Sequence, residues 1–163
     1  TNPFGCLWGA IAPDGRLWIY RERYQARQTV QVHAAAIRAA EPAGTRYRWT
    51  VADHDAEDRA TLHAEGILTQ RASKHVERGI KAVKERLKVQ PDGRPRLLVC
   101  DTCPETISEF YDYAWQPPAD GRNAKEAPLK DRDHAMDPLR YMVMKLDAAR
   151  GVGLAIPGHL PAR

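Results

Sequence analysis

Several things this chain lacks narrow the field before any motif is considered. It has no apolar run near the roughly 20 residues that a membrane helix requires. It opens with no basic-then-apolar segment of the secretory kind, so a cytoplasmic protein is expected. Cysteines are scarce: Cys6, Cys100 and Cys103 are the only three, an odd number that argues against a disulfide framework. Cys100 and Cys103 have the spacing of half a zinc site, but the other half is absent, so they read as a strand-end cysteine and a bystander. No GxxxxGK[ST] phosphate loop occurs, which excludes a P-loop ATPase within these residues. No internal repeat is visible.

What is present fits one soluble domain. The 163 residues can build one real core without needing two. The 25 basic and 21 acidic side chains leave a formal net charge of +4, which permits a nucleic-acid partner without demanding one. Residues 4–12 and 17–20 flank Pro13-Asp14-Gly15 and read as a β-hairpin. Val30, Ala34 and Ile37 recur at helical spacing behind a Thr29 cap, and Glu41 to Gly44 end that helix. Tyr47, Trp49 and Val51 alternate, predicting a strand that runs into Asp53. A short helix over 58–64 follows, then Gly66, then a strand over 67–71. Val76, Ile80, Val83 and Leu87 form a helical stripe; residues 96–100 read as a strand and 104–115 as a helix. Residues 116–128 read as a loop or hairpin and are followed by a last helix. The order predicts a single α/β domain over 1–150 with a mixed β-sheet flanked by α-helices, and an irregular tail over 151–163.

Two groups of acids could carry chemistry. In the last helix, about 100° per residue puts Ala135, Leu139, Met142, Val143 and Leu146 on one face. Asp133 and Asp137 then share the opposite side with Tyr141. Like charges at this spacing repel by a few tenths of a kcal/mol, and a bound cation would reverse that sign. A solvated face near a helix start accounts for them equally simply. Asp53 ends an apolar strand and opens the polar run Asp53 to Asp58. Such an acid could face a second acid on a helix, since magnesium takes oxygen ligands and often only one or two carboxylates. Asp55 and Asp58 read as a helix cap with an acidic first turn.

The run Glu126 to Tyr141, with Lys130, Asp133, His134, Asp137, Arg140 and Tyr141, resembles the third acidic motif of large terminases, the motor subunits that package viral DNA. Val51-Ala52-Asp53 followed by Glu65-Gly66-Ile67 resembles their second motif, and Ala72-Ser73-Lys74 with Gly79, Ile80 and Val83 the segment after it. Thr1 to Gly5 resembles the residues just past the first. The resemblance covers about residues 1 to 145. It implies an RNase H-like fold and a divalent-metal-dependent endodeoxyribonuclease that cuts concatemeric DNA. It implies Asp53 and Asp137 as catalytic acids, and Asp53, Asp137, Asp133 and His134 around Mg2+ or Mn2+, with two ions in the complete site.

The resemblance also implies double-stranded DNA as substrate. For the full-length protein it implies an ATPase domain, a small terminase subunit and a portal as partners, in the cytoplasm of a phage- or prophage-bearing host. The isolated domain is expected to be monomeric and to have no membrane partner. Lys74, Arg78 and Lys81, with Lys88, share one side of a helix and could track phosphates, as could Arg122, Lys125 and Lys130 on the polar loop. A solvated helix face explains the first group as well.

The chain departs from the family pattern at two places. Pro138 stands where the motif usually has Ala, so the helix is expected to start near Asp133 or to kink. The family's first acid falls a few residues before Thr1, so the site is expected to lack one ligand. Another RNase H-like nuclease, such as a resolvase or transposase core, and a degenerate DNA-binding module are the competing readings.

Overall fold

The computed structural model describes residues 3–53, 55–112 and 133–151. The chain opens with an antiparallel hairpin, β1 (Phe4–Ile11) and β2 (Leu17–Gln25). Its turn is closed by Gly15, which adopts a φ of 81° that a side chain would disfavour. Helix α1 (Val30–Ala39) begins at Thr29, whose hydroxyl accepts the Val32 N–H. Strand β3 (Val51–Ala52) leads to α2 (Ala56–Ala64), β4 (Gln70–Arg71) and α3 (Val76–Leu87). Strand β5 (Leu97–Val99), α4 (Pro104–Asp112) and α5 (Met136–Gly151) complete the described elements.

The mixed α/β architecture is as expected, with the sheet in two pieces. One has the order β1-β2-β5, with β2 and β5 parallel; the other pairs β3 and β4 in parallel. Strands β3 and β4 are only two residues each, shorter than the sequence predicts. Tyr47 and Leu68 explain why, since both are exposed and neither supports a buried strand face.

The core lies between the β2–β5 side of the sheet and helices α3, α4 and α5. Leu17, Ile19 and Leu97 meet Val83, Cys103, Leu139, Val143 and Leu146 there. Helix α5 is the hub and touches α3, α4, β1 and β3. Two glycines let it approach closely. A Cβ on Gly5 would collide with the His134 carbonyl, and one on Gly9 with the Met142 sulfur. Gly79 does the same for α3, where a Cβ would lie 3.1 Å from Met144 Sδ and 3.2 Å from Arg140 Nη1. Arg86, on the α3 face turned toward α5, is buried and paired with Asp147. Only Ile80 and Val83 of the expected α3 stripe are buried; Val76 and Leu87 are exposed. No helix among the described residues is long and apolar enough to cross a membrane.

Candidate functional site

Asp53 stands one residue beyond β3, and Asp55 two residues further caps α2 by accepting the Glu57 and Asp58 N–H groups at 3.0 and 3.1 Å. This confirms Asp55 as a structural cap. The Asp58 carboxyl is held above its ordinary range by burial first and then by Asp55, Glu57 and Asp53. On the facing side, α5 presents Asp133, His134 and Asp137 at or just before its first turn. Pro138 falls in that turn, where its missing N–H breaks no helical bond. No kink is needed.

These residues line one cavity of about 380 Å³, walled by β1, β3 and the start of α5. Asp53, Asp133, His134 and Asp137 all belong to its lining, as do Asp55 and Asp58. β1 contributes Phe4 to Gly9 and β3 contributes Val51 and Ala52. Each of these strands is laddered on one edge only among the described residues, β1 to β2 and β3 to β4. Thr50 and Ala52 spend their carbonyls on the β4 side, accepting from Gln70 and Ala72 at 2.8 and 2.9 Å. By strand alternation, the backbone groups of Val51 point the other way.

Tyr141 joins the two acids. The sequence places it with Asp133 and Asp137 on a side away from the core, yet it is 7% exposed. Contact with both β1 and β3 covers two flanks of α5, so the helix has a wider buried arc than its apolar stripe. The Tyr141 hydroxyl donates to Asp137 Oδ2 at 3.4 Å. Burial, and then the charges of Asp137 and Asp53, hold the phenol far above its usual pKa. The Cys6 thiol in the same wall is pushed up to about 12, chiefly by burial.

Both principal acids face basic groups. Lys74 Nζ is 2.9 Å from Asp53 Oδ1. Arg140 pairs with Asp137 while its Nε and Nη1 are buried without a hydrogen-bond partner. Among the described residues, no three His, Cys, Asp or Glu side chains gather closely enough to hold a metal ion. The aspartate oxygens are hard donors of the kind that suit magnesium or manganese, and His134 adds one borderline imidazole.

The expected basic face is divided. Lys74 belongs to the acidic site. Arg78 and Lys81 lie exposed on α3, and Lys88 pairs with Glu85 at 2.6 Å. Arg122, Lys125 and Lys130 lie outside the described residues. Among the described residues, Cys100 and Cys103 join no metal cluster; Cys103 is fully buried in the core. Sequence reasoning missed Glu109, whose buried carboxylate reaches the start of α5. The available signal was Ala135, a residue that cannot cap the helix it precedes.

No family model matches this chain, and no curated protein is similar to it by sequence. Solved structures do match. The large terminase of a thermophilic bacteriophage, in complex with ATP-gamma-S, superposes with a TM-score of 0.74 at 23% identity, over 87% of this chain. The chain spans 36% of that protein's length. The nuclease domain of the bacteriophage SPP1 large terminase, solved with bound Mn, gives 0.66 at 17% identity, over 88% of this chain and 79% of that one. The P22 large terminase nuclease domain gives 0.63 at 17%, over 88% and 75%. The chain therefore has the mixed α/β fold of large-terminase nuclease domains.

Proposed function

We propose that this chain is the nuclease domain of a viral large terminase, with an RNase H-like sheet, and that it cuts concatemeric DNA by metal-dependent phosphodiester hydrolysis. One observation carries the reading. Asp53, from the end of a strand, and Asp133, His134 and Asp137, from the start of a distant helix, line the same cavity. The fold shared with the SPP1 domain, itself solved with bound Mn, supports it.

In this reading Asp53 and Asp137 are the principal ligands of Mg2+ or Mn2+, and Asp133 and His134 stand beside them. Bound divalent ions would activate water and stabilise the leaving oxygen, a task that uses two of them. Tyr141 orients Asp137 from behind, and Arg140 fixes its second oxygen. A third carboxylate would come from an extended segment between β1 and β3, whose unladdered edges border the cavity. Such a segment would merge the two sheets into one. Double-stranded DNA would cross Arg78 and Lys81, with an ATPase domain, small subunit and portal completing the motor in the host cytoplasm.

The test is a crystal soaked in Mn2+. Anomalous density touching both Asp53 and Asp137 is expected, because metal–oxygen bonds are only about 2.0–2.6 Å. Density elsewhere, with no metal-dependent plasmid cleavage by a longer chain, would leave the degenerate DNA-binding module as the better reading.

A further inference from the structure

Helix α5 begins without a cap of its own. Ala135, just before it, has no side-chain oxygen, and Pro138 has no N–H. Its first amides nonetheless need partners, because Ala135 is fully buried and Met136 is 4% exposed. They are satisfied by Glu109 of α4, a fully buried carboxylate. Oε1 accepts the His134 N–H at 3.1 Å and the Tyr24 hydroxyl at 2.8 Å. Oε2 accepts the Ala135 and Met136 N–H groups at 2.8 and 3.1 Å. The Asp137 N–H then bonds the Asp133 carbonyl at 3.0 Å, and the Leu139 N–H the Ala135 carbonyl at 3.1 Å. Every N–H from His134 to Leu139 is accounted for.

The same device repeats one step back. Glu22 of β2 accepts the Glu105 and Thr106 N–H groups, both at 2.8 Å, and the Thr106 hydroxyl at 2.6 Å. A bulge makes this possible. Trp8 pairs with Arg21 and Gly9 with Ile19, so Tyr20 is an extra residue on β2. Side-chain alternation changes phase there. Leu17 and Ile19 before the bulge, and Glu22 and Tyr24 after it, therefore share the side that carries α4 and α5. The Tyr20 carbonyl left at the bulge accepts from the Thr102 hydroxyl at 2.8 Å, just ahead of α4.

We propose that Glu109 is the positioning residue of the candidate metal site. Through Glu22, Tyr24 and Glu109, the sheet sets where α4 starts, and α4 sets where α5 starts. Asp133, His134 and Asp137 are thereby held at a fixed place opposite Asp53. This rests on the metal reading above, so its experiment has a metal-independent arm.

The variants are Glu109→Gln, Tyr24→Phe and, as a core control, Leu97→Ala, all studied well below their melting temperatures. In hydrogen exchange, Glu109→Gln should strip protection from the Ala135 and Met136 amides while β1, β2 and β5 amides keep theirs. In Mn2+ titration it should weaken binding by about 10–100-fold, the usual effect of removing a group that orients a ligand. Tyr24→Phe should do the same more mildly, and it decides the matter if Glu109→Gln does not fold. Leu97→Ala should lower the melting temperature and leave Mn2+ affinity unchanged. Protected Ala135 and Met136 amides in Glu109→Gln, or unchanged Mn2+ affinity in Tyr24→Phe where Glu109→Gln does not fold, would overturn the proposal, as would equal losses of Mn2+ affinity in Leu97→Ala. If the unsubstituted chain binds no Mn2+, the metal reading fails alone, and exchange still decides the role of Glu109.

Discussion

Lys74 Nζ lies 2.9 Å from Asp53 Oδ1, so a lysine expected to contact phosphate also faces a candidate metal ligand. Both side chains are about half exposed, and such pairs are worth about 0.2–1 kcal/mol. A cation that binds Asp53 must displace this ammonium or share the carboxylate with it. Lys74→Ala should therefore tighten Mn2+ binding, by up to about fivefold for a pair of that strength. A weaker Mn2+ affinity in calorimetric titration would instead make Lys74 a support of the site. The salt slope of DNA binding should respond to Arg78→Ala and Lys81→Ala, each lowering it by about 1 if both residues contact phosphates.

Asp137 sits on Arg140, whose guanidinium is buried and otherwise short of partners. Asp137→Ala should destabilise the fold by about 1–3 kcal/mol, the usual cost of an unsatisfied buried polar group. Asp137→Asn keeps an oxygen for Arg140 and should cost less. Both should abolish Mn2+ binding next to α5. Chemical denaturation beside Mn2+ titration separates the two effects, and a fully Mn2+-competent Asp137→Asn would remove Asp137 from the ligand set.

His33 gives the fold an acid sensitivity. It is 2% exposed, stacks on Phe4 at 4.0 Å between ring centroids, and accepts the Arg23 Nε–H on Nδ1 at 3.1 Å. Burial, and then the Arg23 charge, hold its pKa below the ordinary 6.5. The unfolded chain thus takes up the proton first. The stability that neutral His33 contributes is complete above the unfolded value of about 6.5 and is lost as pH falls through the lower folded one. The melting temperature should drop between pH 7.5 and 5, and His33→Gln should flatten that drop. An identical pH profile in the variant would clear His33 of the effect.

Much of this was legible in the sequence because it is local. The hairpin turn at Gly15, the Thr29 cap, the Asp55 cap and the α5 face through Leu139 and Leu146 all follow from residues close in the chain. What escaped depends on distant partners. Arg86 reads as one more surface charge until Asp147 is brought to it, and Glu109 as a polar residue on a short helix until the α5 amides arrive from 25 residues onward. The bulge at Tyr20 hides in a strand whose apolar and polar residues do not betray the change of phase. Tyr141 was assigned to the open side because periodicity describes one buried face, and α5 has two.

Gly5 sets a dimension of the site. Its α-hydrogen faces the His134 carbonyl, where even a methyl group would collide. Strand β1 and the start of α5 are thus held apart by a hydrogen atom. Any substituent there would act as a wedge, moving Asp133, His134 and Asp137 together while leaving each of them chemically intact. A Gly5→Ala protein would keep every proposed ligand and lose the spacing between them, so an inventory of its functional groups would not reveal the defect.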